Sequence, residues 1–110
     1  MKLYVDLTGK QFTVSREAEE KRDENGKQKA ERTTGRPMWT TQVFVLDTDG
    51  GEVITVTTLG ERPTVRVGTA VVPVQLEALP WAQNRNGVQR NGVAYRATEL
   101  KTAPAAAKAA

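Results

Sequence analysis

Apolar and polar residues alternate with a period of two along most of the chain, the spacing of strands with one face turned to a core. Leu3, Val5 and Leu7 alternate with Tyr4 and Asp6, and Phe12 and Val14 alternate with Gln11, Thr13 and Ser15, the two runs separated by Thr8-Gly9-Lys10. Residues 38–47, 52–59, 69–79 and 93–100 are rich in β-branched and aromatic types and read the same way. This predicts an all-β chain of five main strands, the first of them broken near Gly9. No window carries a helical apolar stripe; the best helical composition is at residues 16–23, which has no apolar face.

Turn residues punctuate the strands. Asp49-Gly50-Gly51 predicts a hairpin between the second and third strands, and Asn86-Gly87 another between the fourth and fifth. A two-residue turn at Asn86-Gly87 sets Glu77 opposite Arg96 as a cross-strand ion pair. Asn91-Gly92 is the competing turn or bulge. Asn25-Gly26 centres a charged segment over residues 16–36, read as a long solvated β-ribbon that pairs Glu24 with Lys27 and Glu19 with Arg32. Disorder is the alternative there, since the segment has no large apolar residue. Pro73 cannot donate to a ladder, so its position is expected to face an edge or a bulge. Residues 1–100 form the expected domain, and the Ala-rich residues 101–110 are expected to be a disordered tail.

Composition narrows the chemistry. The chain has 110 residues, enough for one core, with no Cys and no His. A thiolate, a Ser-His-Asp triad and a Cys- or His-based metal site are therefore unavailable. Neither a cofactor nor a metal is expected, and binding is favoured over catalysis. Asp47 and Asp49 are a carboxylate pair better explained by turn chemistry. There is no signal core and no apolar run near bilayer length, so a cytoplasmic protein without membrane contact is expected.

The formal net charge is only +3, but it is unevenly spread. Acids gather at residues 17–31 and 47–52. From Arg62 to Lys101 six bases face only Glu77 and Glu99. An Arg-rich half suits phosphate, whose oxygens the planar guanidinium grips in pairs; a merely solvated basic surface is the alternative.

Strand, long loop, strand, tight turn, strand, connector, strand, long hairpin, strand is the order of a small Greek-key barrel. Gly35-Arg36-Pro37, then the run from Gln42 to Asp47, then Val56-Thr57-Thr58-Leu59, with Phe12-Thr13 upstream and Pro63 and Gly68 downstream, resembles the gene V-type single-stranded DNA-binding proteins of filamentous phages. Residues 67–72 are similar to the fourth-strand entry of OB-fold DNA-binding proteins in general. The resemblance spans roughly residues 10–100. It departs in a longer first loop and in Met38-Trp39, where the gene V type carries an exposed tyrosine. It implies a five-stranded OB-fold barrel with an extended ribbon between strands 1 and 2. It also implies a homodimer that binds single-stranded DNA for a phage or mobile element, without catalysis.

Such a fold holds phosphates with Arg and Lys and stacks bases on aromatics. The expected interface is Arg16, Lys27, Lys29, Arg32 and Arg36 on the first-loop side, with Arg85 and Arg90 at the second hairpin. Arg62 and Arg66 are either structural or on the opposite side. Of the six aromatics, Phe12 and Phe44 are expected in the core. Trp39 and Trp81, each beside a long loop and a base, are the stacking candidates, and a lid over the barrel end is the competing reading for both. Tyr95 is a further candidate, and Tyr4 is open. Two other functions remain: a β-barrel protein-interaction module, and single-stranded RNA binding, which the sequence does not separate from DNA binding.

Overall fold

The computed structural model describes residues 2–103. Among them there is no helix. The strands are β1 (Leu3–Tyr4), β2 (Gln11–Glu20), β3 (Met38–Asp47), β4 (Gly50–Leu59), β5 (Ala70–Val74), β6 (Glu77–Arg85), β7 (Val88–Arg96) and β8 (Glu99–Thr102). All eight belong to one mixed sheet in the order β1-β6-β7-β4-β3-β2-β5-β8. Only β4 and β7 run parallel; the other neighbours are antiparallel.

The alternation read from the sequence sets the buried face. Phe12 and Val14 of β2, Thr41, Val43 and Val45 of β3, and Ile54, Val56 and Thr58 of β4 point inward. Val65, Val71, Leu76, Ala97 and Leu100 join them from the second half of the chain. Each full-sized apolar side chain withdrawn from water here contributes about 1.5–3 kcal/mol before the entropy of ordering is counted.

Two expected strands are each broken in two, for one physical reason. Strict alternation from Val71 through Pro73 would bury Gln75 and expose Leu76. Instead Gln75 takes a left-handed conformation (φ +52°), stays exposed, and turns Leu76 into the core. Likewise alternation from Ala97 would bury Glu99 and expose Leu100; the break at Ala97 and Thr98 buries Leu100 instead. At that break the chain changes partner. Ala97 N–H donates to Thr57 O of β4 at 3.0 Å, and Thr98 N–H donates to Val74 O of β5 at 3.0 Å. The first expected strand is broken near Gly9 as expected: before the break only Leu3–Tyr4 is strand, with Val5 N–H bonded to Leu76 O at 2.8 Å, and after it Gln11 opens β2.

Pro73 is fully buried. Its rung with β8 lies opposite Leu100, and the pairing of β5 with β2 stops at Val71, so no strand there asks for the missing N–H. β8 carries order to Thr102, past the expected domain end, while residues 104–110 of the expected disordered tail lie outside the described residues.

The charged segment is not one long ribbon. β2 stays paired with β3 as far as Glu20 opposite Trp39, with register shifts on either side of Arg16, and Glu19 lies opposite Thr40 rather than Arg32. A short hairpin follows, with Arg22 bridged to Gln28. Its register is one residue from expectation, because the Asp23 carboxylate accepts from the N–H groups of Asn25 (2.8 Å) and Lys27 (3.0 Å) and so closes a turn around Gly26. Asp23 N–H then bonds Lys27 O, so Glu24 and Lys27 are not partners. A second loop, residues 31–36, leads back into β3 and is closed by Glu31 N–H to Arg36 O. No helix among the described residues is long and apolar enough to cross a membrane.

Candidate nucleic-acid interface

Residues opposite one another on paired strands share a face of the sheet. The face turned away from the core therefore carries Arg16, opposite Gln42, and Gln42, opposite Thr55. Two residues along β4 lies Thr57, opposite Arg96 of β7. From Arg96 the same face runs up the β6–β7 hairpin. Its pairs are Glu77 with Arg96, Leu79 with Ala94, Trp81 with Gly92, Gln83 with Arg90 and Arg85 with Val88. Arg16, Arg96, Arg90, Arg85 and Trp81 thus lie on one continuous surface. The alternate residues of the hairpin, from Ala78 to Asn91 and on to Val93, carry no charge at all.

The hairpin is an arm. Residues 81–91 are all exposed, and only its base is flanked, by β1 on one side and β4 on the other. Asn86 and Gly87 both have positive φ (+52° and +79°), the primed turn whose twist matches its strands. The expected register holds, and Glu77 does lie opposite Arg96. The expected ion pair does not form, because the Arg96 guanidinium donates at 2.6 Å to Glu31, across 65 residues of sequence.

The root of the arm is the centre of positive charge. Lys21 is half-buried, with its ammonium 3.4 Å from Thr57 Oγ1. Burial, and then the nearby Lys29 and Arg96, push its pKa below the ordinary lysine value. The carboxylate that pairs with Arg96, Glu31, also accepts from Thr34 (2.8 Å) and Thr33 (3.3 Å); the Thr34 bond first, then Arg96, hold its pKa below the usual range. Lys21, Lys29 and Arg96 thus stand against Glu31 and, opposite Arg96, Glu77, leaving one positive charge in excess for a bound phosphate. Since the folded pKa of Lys21 is lowered, the unfolded chain holds the extra proton between the two values. Stability from this group therefore rises as pH climbs through that window. Side-chain NMR of Lys21 should show a midpoint below that of exposed lysines, moving upward on addition of oligo(dT). A midpoint indifferent to the oligonucleotide would remove phosphate from this junction.

The aromatics separate cleanly. Trp81 is 46% exposed and rests on Gly92, where an added Cβ would come within 2.8 Å of the indole. The glycine lets one ring face lie against backbone while the other is open. Trp39 instead shares the inward face with Thr58, donates its indole N–H to Gly60 O at 2.7 Å, and has the Arg62 guanidinium 6.0 Å from its ring centroid. It is a lid over the strand end, not a free platform. Tyr95 shares the face of Val56 and packs on the core, so it too is off the strip.

Arg36 donates to Leu59 O at 3.2 Å and fastens the strand end that Trp39 covers. Arg16 lies on the strip in a loose, exposed pair with Glu19 at 3.7 Å. Lys27, Lys29 and Arg32 are exposed on the two loops, without an ion pair among the described residues.

Three residues of this surface escaped sequence reasoning. Phe44 was expected in the core but is 38% exposed on the outward face, lying over Gly51. Its neighbours Val43 and Val45 take the inward positions, and four apolar residues in a row hide which parity is which. The glycine on the adjoining strand was the available signal. Lys21 and Arg96 are the other two, and only tertiary pairing brings them together.

The carboxylates point elsewhere. Asp47 accepts from Asp49 N–H at 2.8 Å and from Lys10 Nζ at 2.7 Å, so it closes a turn and an ion pair. The Lys10 bond, then the Asp49 N–H, lower its pKa. Among the described residues no three acidic side chains gather as a metal site. Compared with protein-family models, with curated proteins and with solved structures, the chain matches none.

Proposed function

We propose that this protein binds single-stranded nucleic acid, DNA before RNA, with little sequence preference and without catalysis. The reading rests on one observation: the unpaired cations of the arm, the basic junction at its root and the open indole of Trp81 fall on a single face. Phosphates bind along the cations and a base stacks on Trp81. Phe44, further along the same face, offers a second ring.

The same proposal takes the fold as a five-stranded OB-type barrel. In it β7 and β8 form one bent fifth strand, and β5 with β6 forms the fourth. Its support is the parallel pairing of β4 with β7, the pairing of β5 with β2, and the switch of partner at Ala97 and Thr98. The homodimer rests on the resemblance to gene V-type proteins and on the uncharged, exposed reverse face of the arm. The phage or mobile-element setting and a cytoplasmic location rest on sequence alone.

The test is a titration of a dT oligonucleotide, a duplex and an oligo(U) of matched length across a salt series. Six phosphate contacts, from Arg16, Lys21, Lys29, Arg85, Arg90 and Arg96, predict a log–log salt slope of about −4 for a single strand. The expected order is dT tightest and duplex weakest. Absence of tryptophan quenching and of any mobility shift at low salt contradicts the proposal.

A further inference from the structure

Beside the basic junction lies a cavity of about 370 Å³, on the same face as the strip, because Tyr4 is opposite Glu77 and Glu77 is opposite Arg96. We propose that this cavity holds a single guanine base, an inference that rests on the nucleic-acid reading above. Its walls are Tyr4, 54% exposed and free to stack, and Leu79; Lys2 and Arg36 stand at it as cations for flanking phosphates. The deciding group is Glu77. It is half-buried and lines the cavity, and its carboxylate makes no hydrogen bond or ion pair among the described residues, since Glu31 has taken Arg96. A carboxylate only accepts hydrogen bonds, and a half-buried one gains most from two donors side by side. Guanine alone among the bases presents them, as N1–H and the N2 amine. Adenine, cytosine and thymine each place an acceptor beside their donor, which the carboxylate repels. A base preference is thereby set into an otherwise tolerant surface.

The experiment measures affinity for dT oligonucleotides that carry one central dG, dA, dC or deoxyinosine, with the wild-type protein and with Glu77→Gln. Free GMP serves as competitor. The dG strand is expected to bind roughly tenfold more tightly than the dA and dC strands, the span of one good bidentate pair. Deoxyinosine, which lacks the N2 amine, should lose most of that gain. In Glu77→Gln the preference should vanish while dT affinity stays. Deoxyinosine on the wild-type protein keeps the test decisive if the variant does not fold. Equal binding of all four strands overturns the guanine site and leaves strand binding standing. Failure to bind any strand overturns the reading beneath it. In that event GMP binding that Glu77→Gln abolishes still supports the guanine site, with a free nucleotide as its source, and no GMP binding overturns it.

Discussion

Trp81→Ala is expected to weaken binding of a dT oligonucleotide by roughly 5- to 160-fold, the ~1–3 kcal/mol of one stacked base, while leaving the fold unchanged. The indole stands on an arm whose residues 81–91 are all exposed, so nothing in the core depends on it. It is held ready by Gly92, which leaves room for the ring to lie against the opposite strand. An ordered platform loses little side-chain freedom on binding, and that keeps the stacking energy available. Trp39 provides the contrast. Its N–H is committed to Gly60 O and Arg62 lies over its ring, so Trp39→Phe should lower stability and leave affinity nearly unchanged. Fluorescence anisotropy with the two variants separates these roles. A Trp81→Ala protein that binds within twofold of wild type would take the arm out of the interface.

The largest effect on folding is expected from Leu76→Ala, a loss of about 2–5 kcal/mol out of the 5–15 kcal/mol typical of a domain. Leu76 is among the most completely buried side chains. It sits where the chain leaves β5 for the arm, turned inward by the left-handed Gln75, and its carbonyl receives Val5 N–H. The cavity left by truncation would therefore open at the one point where β1, β5 and β6 meet. Leu79→Ala is the control: Leu79 is exposed on the arm face and its loss should shift the unfolding midpoint little. Urea denaturation of both variants measures the difference. Equal midpoints for Leu76→Ala and wild type would show that this corner does not hold the sheet together.

Much of this was legible along the chain where pattern and turn chemistry agree. Residues 38–47, rich in β-branched and aromatic types, form β3 with those bounds; Asn86-Gly87 gave both the turn and the register of the arm. What escaped depended on distant partners. Nothing local says that Gln75 or Thr98 must break the alternation, because the reason is the inward place waiting for Leu76 and Leu100. Glu31 and Arg96 meet across 65 residues of sequence, so Glu77, on the neighbouring strand of the same hairpin, looked the natural partner. Phe44 sits in an apolar run whose two faces look alike until β4 is laid beside it. The short hairpin slipped by one residue because an Asp23 side chain, rather than the Asn25-Gly26 pair, governs the turn.

The account turns on whether one face carries the strand, and amide chemical-shift mapping during titration with oligo(dT) reads this directly. The predicted shifts fall on Arg16, Lys21, Phe44, Arg96, Arg90, Arg85 and the Trp81 indole, with the Trp39 indole and the uncharged reverse of the arm nearly still. Shifts confined to that reverse face, or scattered without regard to face, would contradict it.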